Sequence, residues 1–130
     1  MNGIDYLLDT NFILGLLKAA PETLALIGQR QIEARQCAYS AITRMELLGF
    51  PGLTASEETL IQRKLGQLIH APITPAVEDE VIRLRRTHTI KLPDAIIAAS
   101  ALMLGAELLT HDQKLQAVMA HEVQQRAGTR

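Results

Sequence analysis

Four carboxylates stand where an apolar run breaks off or a helix begins: Asp9 in "YLLDTN", Glu46 in "RMELLGF", Asp94 in "KLPDAII" and Asp112 in "LLTHD". An ionised carboxylate at the mouth of a water-poor crevice costs on the order of several kcal/mol unless a cation or hydrogen-bond donors compensate it. Several meeting in one crevice would repel and raise one another's pKa unless divalent ions neutralised them. All-oxygen ligands with room for water suit Mg²⁺ or Mn²⁺ rather than zinc. The four histidines show no zinc-binding spacing.

Each acid also has a purely structural reading. Asp9 and Asp112 can each cap the helix that follows, worth about 1 kcal/mol. Asp94, next to Pro93, can complement a helix dipole, a contribution of roughly 0.3–1 kcal/mol. Glu46 has apolar neighbours, no lysine at i+4, and in Arg44 a cation too close in sequence to pair well along a helix. A solvated-face explanation therefore requires Glu46 to point outward. Taken singly, both readings stand.

The elements that must position these acids alternate along the chain. "IDYLL" at 4–8 reads as a short buried strand, and "FILGLLK" and the segment from Pro21 to about Ala34 read as helices. "CAYS" is a second strand, followed by a helix through "TRMELLGF" that Pro51 and Gly52 stop. Thr54 and Glu57 have capping-box spacing ahead of a surface helix whose apolar face carries Leu60, Ile61, Leu65, Leu68 and Ile69. "HAPIT" is a third strand. Pro75 opens a helix with Glu78, Asp79 and Glu80 early and Arg83, Arg85, Arg86 and His88 late. Pro93 opens "DAIIAASALML", apolar nearly all round and so buried on most sides. "AELLT" at 106–110 is a fourth strand, and "DQKLQAVM" a short helix. Strands alternating with helices imply a three-layer α/β/α fold around a parallel sheet of four to five strands. In such a sheet chemistry gathers at the carboxyl ends of the strands, where Asp9 and Asp112 fall.

The 130 residues, 48% of them hydrophobic, describe one globular domain spanning 1–130, with no repeat, low-complexity tract or linker. A chain of this length buries roughly two-thirds of its unfolded surface and needs no disulfide or structural metal to fold. The lone Cys37, in an apolar strand, reads as a small buried thiol, which suits a reducing cytoplasm. Asp5 and Asp9 interrupt what a secretion signal would need as an apolar core, and the tract at 95–106 is too short and alanine-rich for a bilayer. No membrane role is expected. Thirteen basic against fourteen acidic side chains give no global attraction to nucleic acid, so such binding must come from a local patch or from metal ions.

The sequence resembles the PIN domain family over nearly its whole length, and within it the VapC-type toxins of toxin–antitoxin pairs. "LLDTN" is similar to the family's opening motif, "AITRMELLGF" to its second block, "KLPDAIIAASAL" to its third and "LLTHDQKL" to its fourth. The resemblance implies a Mg²⁺- or Mn²⁺-dependent endoribonuclease with Asp9, Glu46, Asp94 and Asp112 as catalytic metal ligands and Thr10, Asn11 and Thr110 supporting them. It also implies a homodimer and a cognate antitoxin. Metal-activated water would then attack an RNA phosphodiester without a side-chain nucleophile. The tail "AVMAHEVQQRAGTR" departs from the family's apolar ending, so the last edge strand is expected to be short or missing.

Arg83, Arg85, Arg86, His88 and Lys91, with Arg44, are candidates for contact with the RNA backbone, since such contacts supply most sequence-independent affinity. Basic residues late in a helix are also what its dipole favours. Two other classes compete. A non-catalytic PIN-like module would use the crevice only to dock a partner. A phosphohydrolase of the haloacid dehalogenase type would use Asp9 as nucleophile, but the chain is short for the lysine and paired-aspartate motifs of that chemistry.

Overall fold

A computed structural model of the chain describes residues 3–128. Four short parallel strands form its sheet: β1 (Tyr6–Leu8), β2 (Cys37–Ser40), β3 (Ile69–Ala71) and β4 (Glu107–Leu109), in the order β3-β2-β1-β4. β1 is central. Tyr6 and Leu7 pair with Cys37 and Ala38 on one side, and Tyr6, Leu7 and Leu8 pair with Glu107, Leu108 and Leu109 on the other. The chain moves outward from β1 to β3 and then returns to place β4 on the opposite flank. The carboxyl end of β1, where Asp9 follows Leu8, is thus the topological switch point at which open parallel sheets bind ligands.

Alternation along the strands divides the core in two, because successive side chains leave a strand on opposite faces. Leu7, Ala38, Ala71 and Leu108 pack on one face with Val77, Val81 and Leu84 of α5 (Pro75–Thr87) and the buried alanines of α6 (Leu92–Leu104). Leu8, Cys37, Tyr39 and Leu109 pack on the other with Phe12 and Ile13 of α1 (Thr10–Leu17), Leu47 of α3 (Ala41–Leu48) and Ile61 and Leu65 of α4 (Ala55–Leu65). The result is the expected three-layer α/β/α arrangement. Cys37 is buried as expected, and desolvation pushes its thiol up to about 11, which makes it a poor nucleophile.

Local signals fix the helix ends. Thr54 and Glu57 form the predicted capping box, with Thr54 N–H donating to Glu57 Oε1 at 2.9 Å and Glu57 N–H to Thr54 Oγ1 at 3.1 Å. The Thr74 hydroxyl accepts from Val77 N–H at the start of α5, and Gly105, at φ 66°, closes α6 in the left-handed conformation. α1 and α2 (Pro21–Arg30) meet at a bend of 98°. They pack so closely that a Cβ on Gly15 would lie 2.4 Å from Thr23 Oγ1. Among the described residues no single helix is long and apolar enough to cross a membrane.

The structure differs from the sequence expectation in three places. α4 stops at Leu65 with Gly66 as its C-cap, so Leu68 and Ile69 lie beyond it and Ile69 opens β3. α2 ends at Arg30 because Gln31 takes a left-handed conformation, and a 3₁₀ turn (Ala34–Gln36) leads into β2. The last helix is not short. α7 (Gln113–Gly128) runs for 16 residues, through the tail as far as Gly128, and among the described residues no fifth strand joins the sheet. Ion pairs hold it down: Arg83 of α5 bonds Glu80 and also Glu122 of α7, while Arg126 pairs with Glu80.

Candidate functional site

All four acids open onto one cleft of about 600 Å³ at the carboxyl edge of the sheet, with Asp9, Glu46, Asp94 and Asp112 among its lining side chains. They come from four different elements. Asp9 follows β1, Glu46 lies in the last turn of α3, Asp94 is in the first turn of α6, and Asp112 precedes α7. A larger groove of about 1040 Å³ runs between α2, β4 and α7, but none of the four acids lines it. Volume is a weaker guide here than chemistry.

The structural and chemical readings of these acids hold together. Asp9 Oδ1 accepts from Phe12 N–H at 2.8 Å and caps α1, and the residue still lines the cleft. Asp112 Oδ1 accepts from the amides of Lys114 and Leu115 at 2.9 and 3.2 Å, with Oδ2 left over. Capping orients each carboxylate rather than competing with its role, because a cap uses one of two oxygens. Glu46 is oriented from α1: the Thr10 hydroxyl donates to its Oε1 at 2.6 Å and shares a 3.0 Å hydrogen bond with the buried Thr43 hydroxyl. Thr43 precedes Glu46 by three residues, one helical turn, a spacing that could have singled it out.

Burial raises the Asp9 carboxyl above its ordinary range, against hydrogen bonds from Thr110 and the Phe12 amide, and Asp94 raises it further. Burial also raises Asp94, helped by the charges of Asp112 and Glu46 and opposed by Lys91. Asp94 is thus the electrostatic hub of the four. Mutual repulsion among carboxylates that share a cleft is relieved when a cation enters or a proton is taken up. A hard, oxygen-seeking divalent ion fits this donor set, because every candidate ligand is a carboxylate and the repulsion is centred between them.

The expected supporting residues divide. Thr10 and Asn11 line the cleft, while Thr110 bonds Asp9 through its side chain and also accepts from Asp112 N–H at 3.0 Å. The expected basic residues divide too. Arg85 and Lys91 line an adjoining cleft of about 410 Å³ that shares Asp94 and Asp112, and Lys114, which the sequence reading passed over, joins them. Lys18 lines the main cleft, next to a hydrophobic wall of Leu14, Leu17, Phe50, Leu53 and Leu60. Phe50 is 67% exposed there. Arg44 lines neither cleft, since two positions along a helix place it about 200° around from Glu46. Arg86 is exposed and also lines neither. Arg83 and His88 are committed to Glu122, which accepts from Arg83 Nη2 at 2.6 Å and lies 2.6 Å from His88 Nε2. That pairing with a buried carboxylate makes them parts of the α5–α7 contact rather than open phosphate ligands.

Comparison with known proteins agrees with this architecture. A toxin–antitoxin complex from Klebsiella pneumoniae contains a chain that superposes with a TM-score of 0.73 at 28% identity, over 85% of this chain and 88% of that one. VapBC-1 from nontypeable Haemophilus influenzae gives 0.71 at 24% identity, over 91% and 94%. VapBC2 from Rickettsia felis, bound to a DNA fragment from its promoter, gives 0.72 at 18%, over 88% and 93%. No curated protein matches by sequence. The profile of the PIN domain matches residues 6–120, which take in all four acids and every strand, and the chain therefore belongs to the PIN domain family.

Proposed function

We propose that this protein is a Mg²⁺- or Mn²⁺-dependent endoribonuclease and the toxin of a VapBC-type pair. The observation that carries the reading is the meeting of Asp9, Glu46, Asp94 and Asp112 in one cleft at the switch point of the sheet. Similarity to chains of toxin–antitoxin complexes supports the biological setting, a cytoplasmic toxin held by a cognate antitoxin, and a homodimer is part of the same proposal.

Asp9, Glu46 and Asp94 would hold one ion, and Asp112 with Asp9 or Asp94 a second. Such ions acidify a bound water and neutralise charge on a phosphodiester. The chain's own side chains do the rest. Thr10 fixes the Glu46 carboxylate, and the capping bonds of Asp9 and Asp112 fix theirs. Arg85, Lys91 and Lys114 beside Asp94, and Lys18 in the main cleft, offer cations to the RNA phosphates on either side of the scissile bond. No side-chain nucleophile is needed.

The direct test is purified wild type against Asp94→Asn on a structured RNA with Mn²⁺. Wild type should cut, stop with EDTA and resume with Mn²⁺, while Asp94→Asn should stay folded and inactive. Undiminished cleavage by Asp94→Asn, or cleavage indifferent to chelation, would overturn the assignment. A folded wild type that never cuts but binds the product of an adjacent reading frame would favour the docking module.

A further inference from the structure

The sequence shows no zinc spacing, yet the fold gathers His88, His121 and Glu122, and one ligand atom from each lies within 4.8 Å of the others. Among the described residues this is the group that comes closest to a closed ligand set. It lies outside the cleft of the four acids. His88 is the C-cap of α5, and His121 and Glu122 are adjacent on α7. We propose that His88, His121 and Glu122 form a second metal site, for Zn²⁺ or another late first-row divalent ion, that staples α7 to the end of α5.

The chemistry differs from that of the cleft. Two imidazoles and one carboxylate suit the nitrogen-preferring end of the first-row series, whereas Mg²⁺ is poorly served by imidazole. Donors around a tetrahedral Zn²⁺ lie roughly 3.3 Å apart. The 2.6 Å contact between His88 Nε2 and Glu122 Oε2 therefore needs only a small opening to admit an ion. The rings of His88 and His121 already meet edge to face, with centroids 5.2 Å apart. His121 is exposed and makes no hydrogen bond to the described residues, so it is free to turn inward, and solvent can supply a fourth ligand.

A supporting shell is in place. Glu122 is 3% exposed, and its other oxygen, Oε1, accepts from Arg83 Nη2 at 2.6 Å, which fixes the carboxylate plane. Arg83 is in turn held by Glu80 through Nε at 2.8 Å, and that second carboxylate offsets its charge. Metal ligands are commonly oriented by such outer partners. The site also occupies a useful place. The turn after His88 leads through Lys91 into Asp94, and α7 starts from the Asp112 cap, so a bridge between them ties together both sides of the cleft.

The test is titration of the full chain with Zn²⁺, and with Co²⁺ as a spectroscopic stand-in, in excess Mg²⁺ that occupies the carboxylate cleft. Three proteins are compared: wild type, His121→Ala at an exposed position, and Asp94→Asn. Wild type and Asp94→Asn should bind one Zn²⁺ with a rise in Tm and show Co²⁺ ligand-field bands in the visible. His121→Ala should fold normally and lose at least about tenfold in Zn²⁺ affinity, as removal of a metal ligand or its support does. Equal affinity in His121→Ala, no Zn²⁺ uptake by wild type under Mg²⁺, or loss of the site in Asp94→Asn would each overturn the proposal. None of these readouts depends on RNA cleavage, so the nuclease assignment can fail without deciding this one.

Discussion

Thr10→Val tests the idea that α1 positions a ligand it does not itself provide. Valine keeps the shape and the β-branch and removes only the hydroxyl, which donates to Glu46 Oε1 at 2.6 Å and bonds Thr43 at 3.0 Å. A hydrogen bond to a charged group is worth about 1.5–3 kcal/mol, but Glu46 is exposed, so water recovers most of that. The buried Thr43 hydroxyl loses a partner at a cost of about 1–3 kcal/mol. It can turn toward the carbonyl of Ser40, the N-cap three residues back, which keeps the loss near the lower bound. A stability loss of about 1 kcal/mol follows, or about 3–5 °C in Tm for a domain of this size. The functional loss should be larger in proportion: an unanchored Glu46 should weaken Mn²⁺ binding and slow cleavage by about 10–100-fold, as loss of an outer-shell partner typically does. Calorimetric titration with Mn²⁺, RNA cleavage rates and a thermal melt measure the three quantities on one preparation, with Thr10→Ser as the variant that restores the donor. Mn²⁺ affinity and cleavage at wild-type levels in Thr10→Val would refute the positioning role. So would a Thr10→Ser protein as impaired as Thr10→Val.

Two further predictions follow from the electrostatics. Because the Asp9 and Asp94 carboxyls are raised in the folded state, the native protein holds their protons more tightly than the unfolded chain does. Their ionisation therefore subtracts stability as pH rises from the unfolded value of 3.8 through the raised folded values, and the cost is fully present above them. In urea melts with EDTA, the stability advantage of Asp9→Asn and Asp94→Asn over wild type should grow across that window and then level off. Asparagine still caps α1, so the Asp9 comparison is not confounded by a lost cap; an advantage that stays constant with pH would contradict the upward shifts that burial, and after it the neighbouring carboxylates, impose on these groups. Arg85→Ala and Lys114→Ala should each reduce the salt dependence of RNA binding by about one phosphate contact, while Arg83→Ala should lower Tm and leave that slope unchanged. A reduced slope in Arg83→Ala would return that guanidinium to the RNA surface.

Much of the site was legible because it is written in short segments with local causes. An acid that breaks an apolar run at the end of a strand has to face solvent or a cation, and "LLDT" and "LLTHD" both show this without coordinates. The capping box at Thr54 and Glu57 and the helix starts at Pro75 and Pro93 were equally local, since each depends on side chains within one turn of the backbone they satisfy. Tertiary structure decided which partners meet across long separations. Thr10 reaches Glu46 over 36 residues, and Arg83 reaches Glu122 over 39, and no periodicity carries that information.

The four acids, the alternation of strands and helices and the buried character of α6 were therefore determined by the sequence alone, because each rests on burial patterns that repeat within a few residues. The strand order β3-β2-β1-β4 and the separation of Arg85 from Arg83 were decided only when the chain closed. So was the extension of α7 as far as Gly128. Its sequence gives no helical stripe strong enough to mark its length: Leu115 and Met119 anchor its first turns in the core, and the later turns are held by Glu80, Arg83, Glu122 and Arg126, charges whose preferred neighbours exist only once α5 and α7 lie side by side.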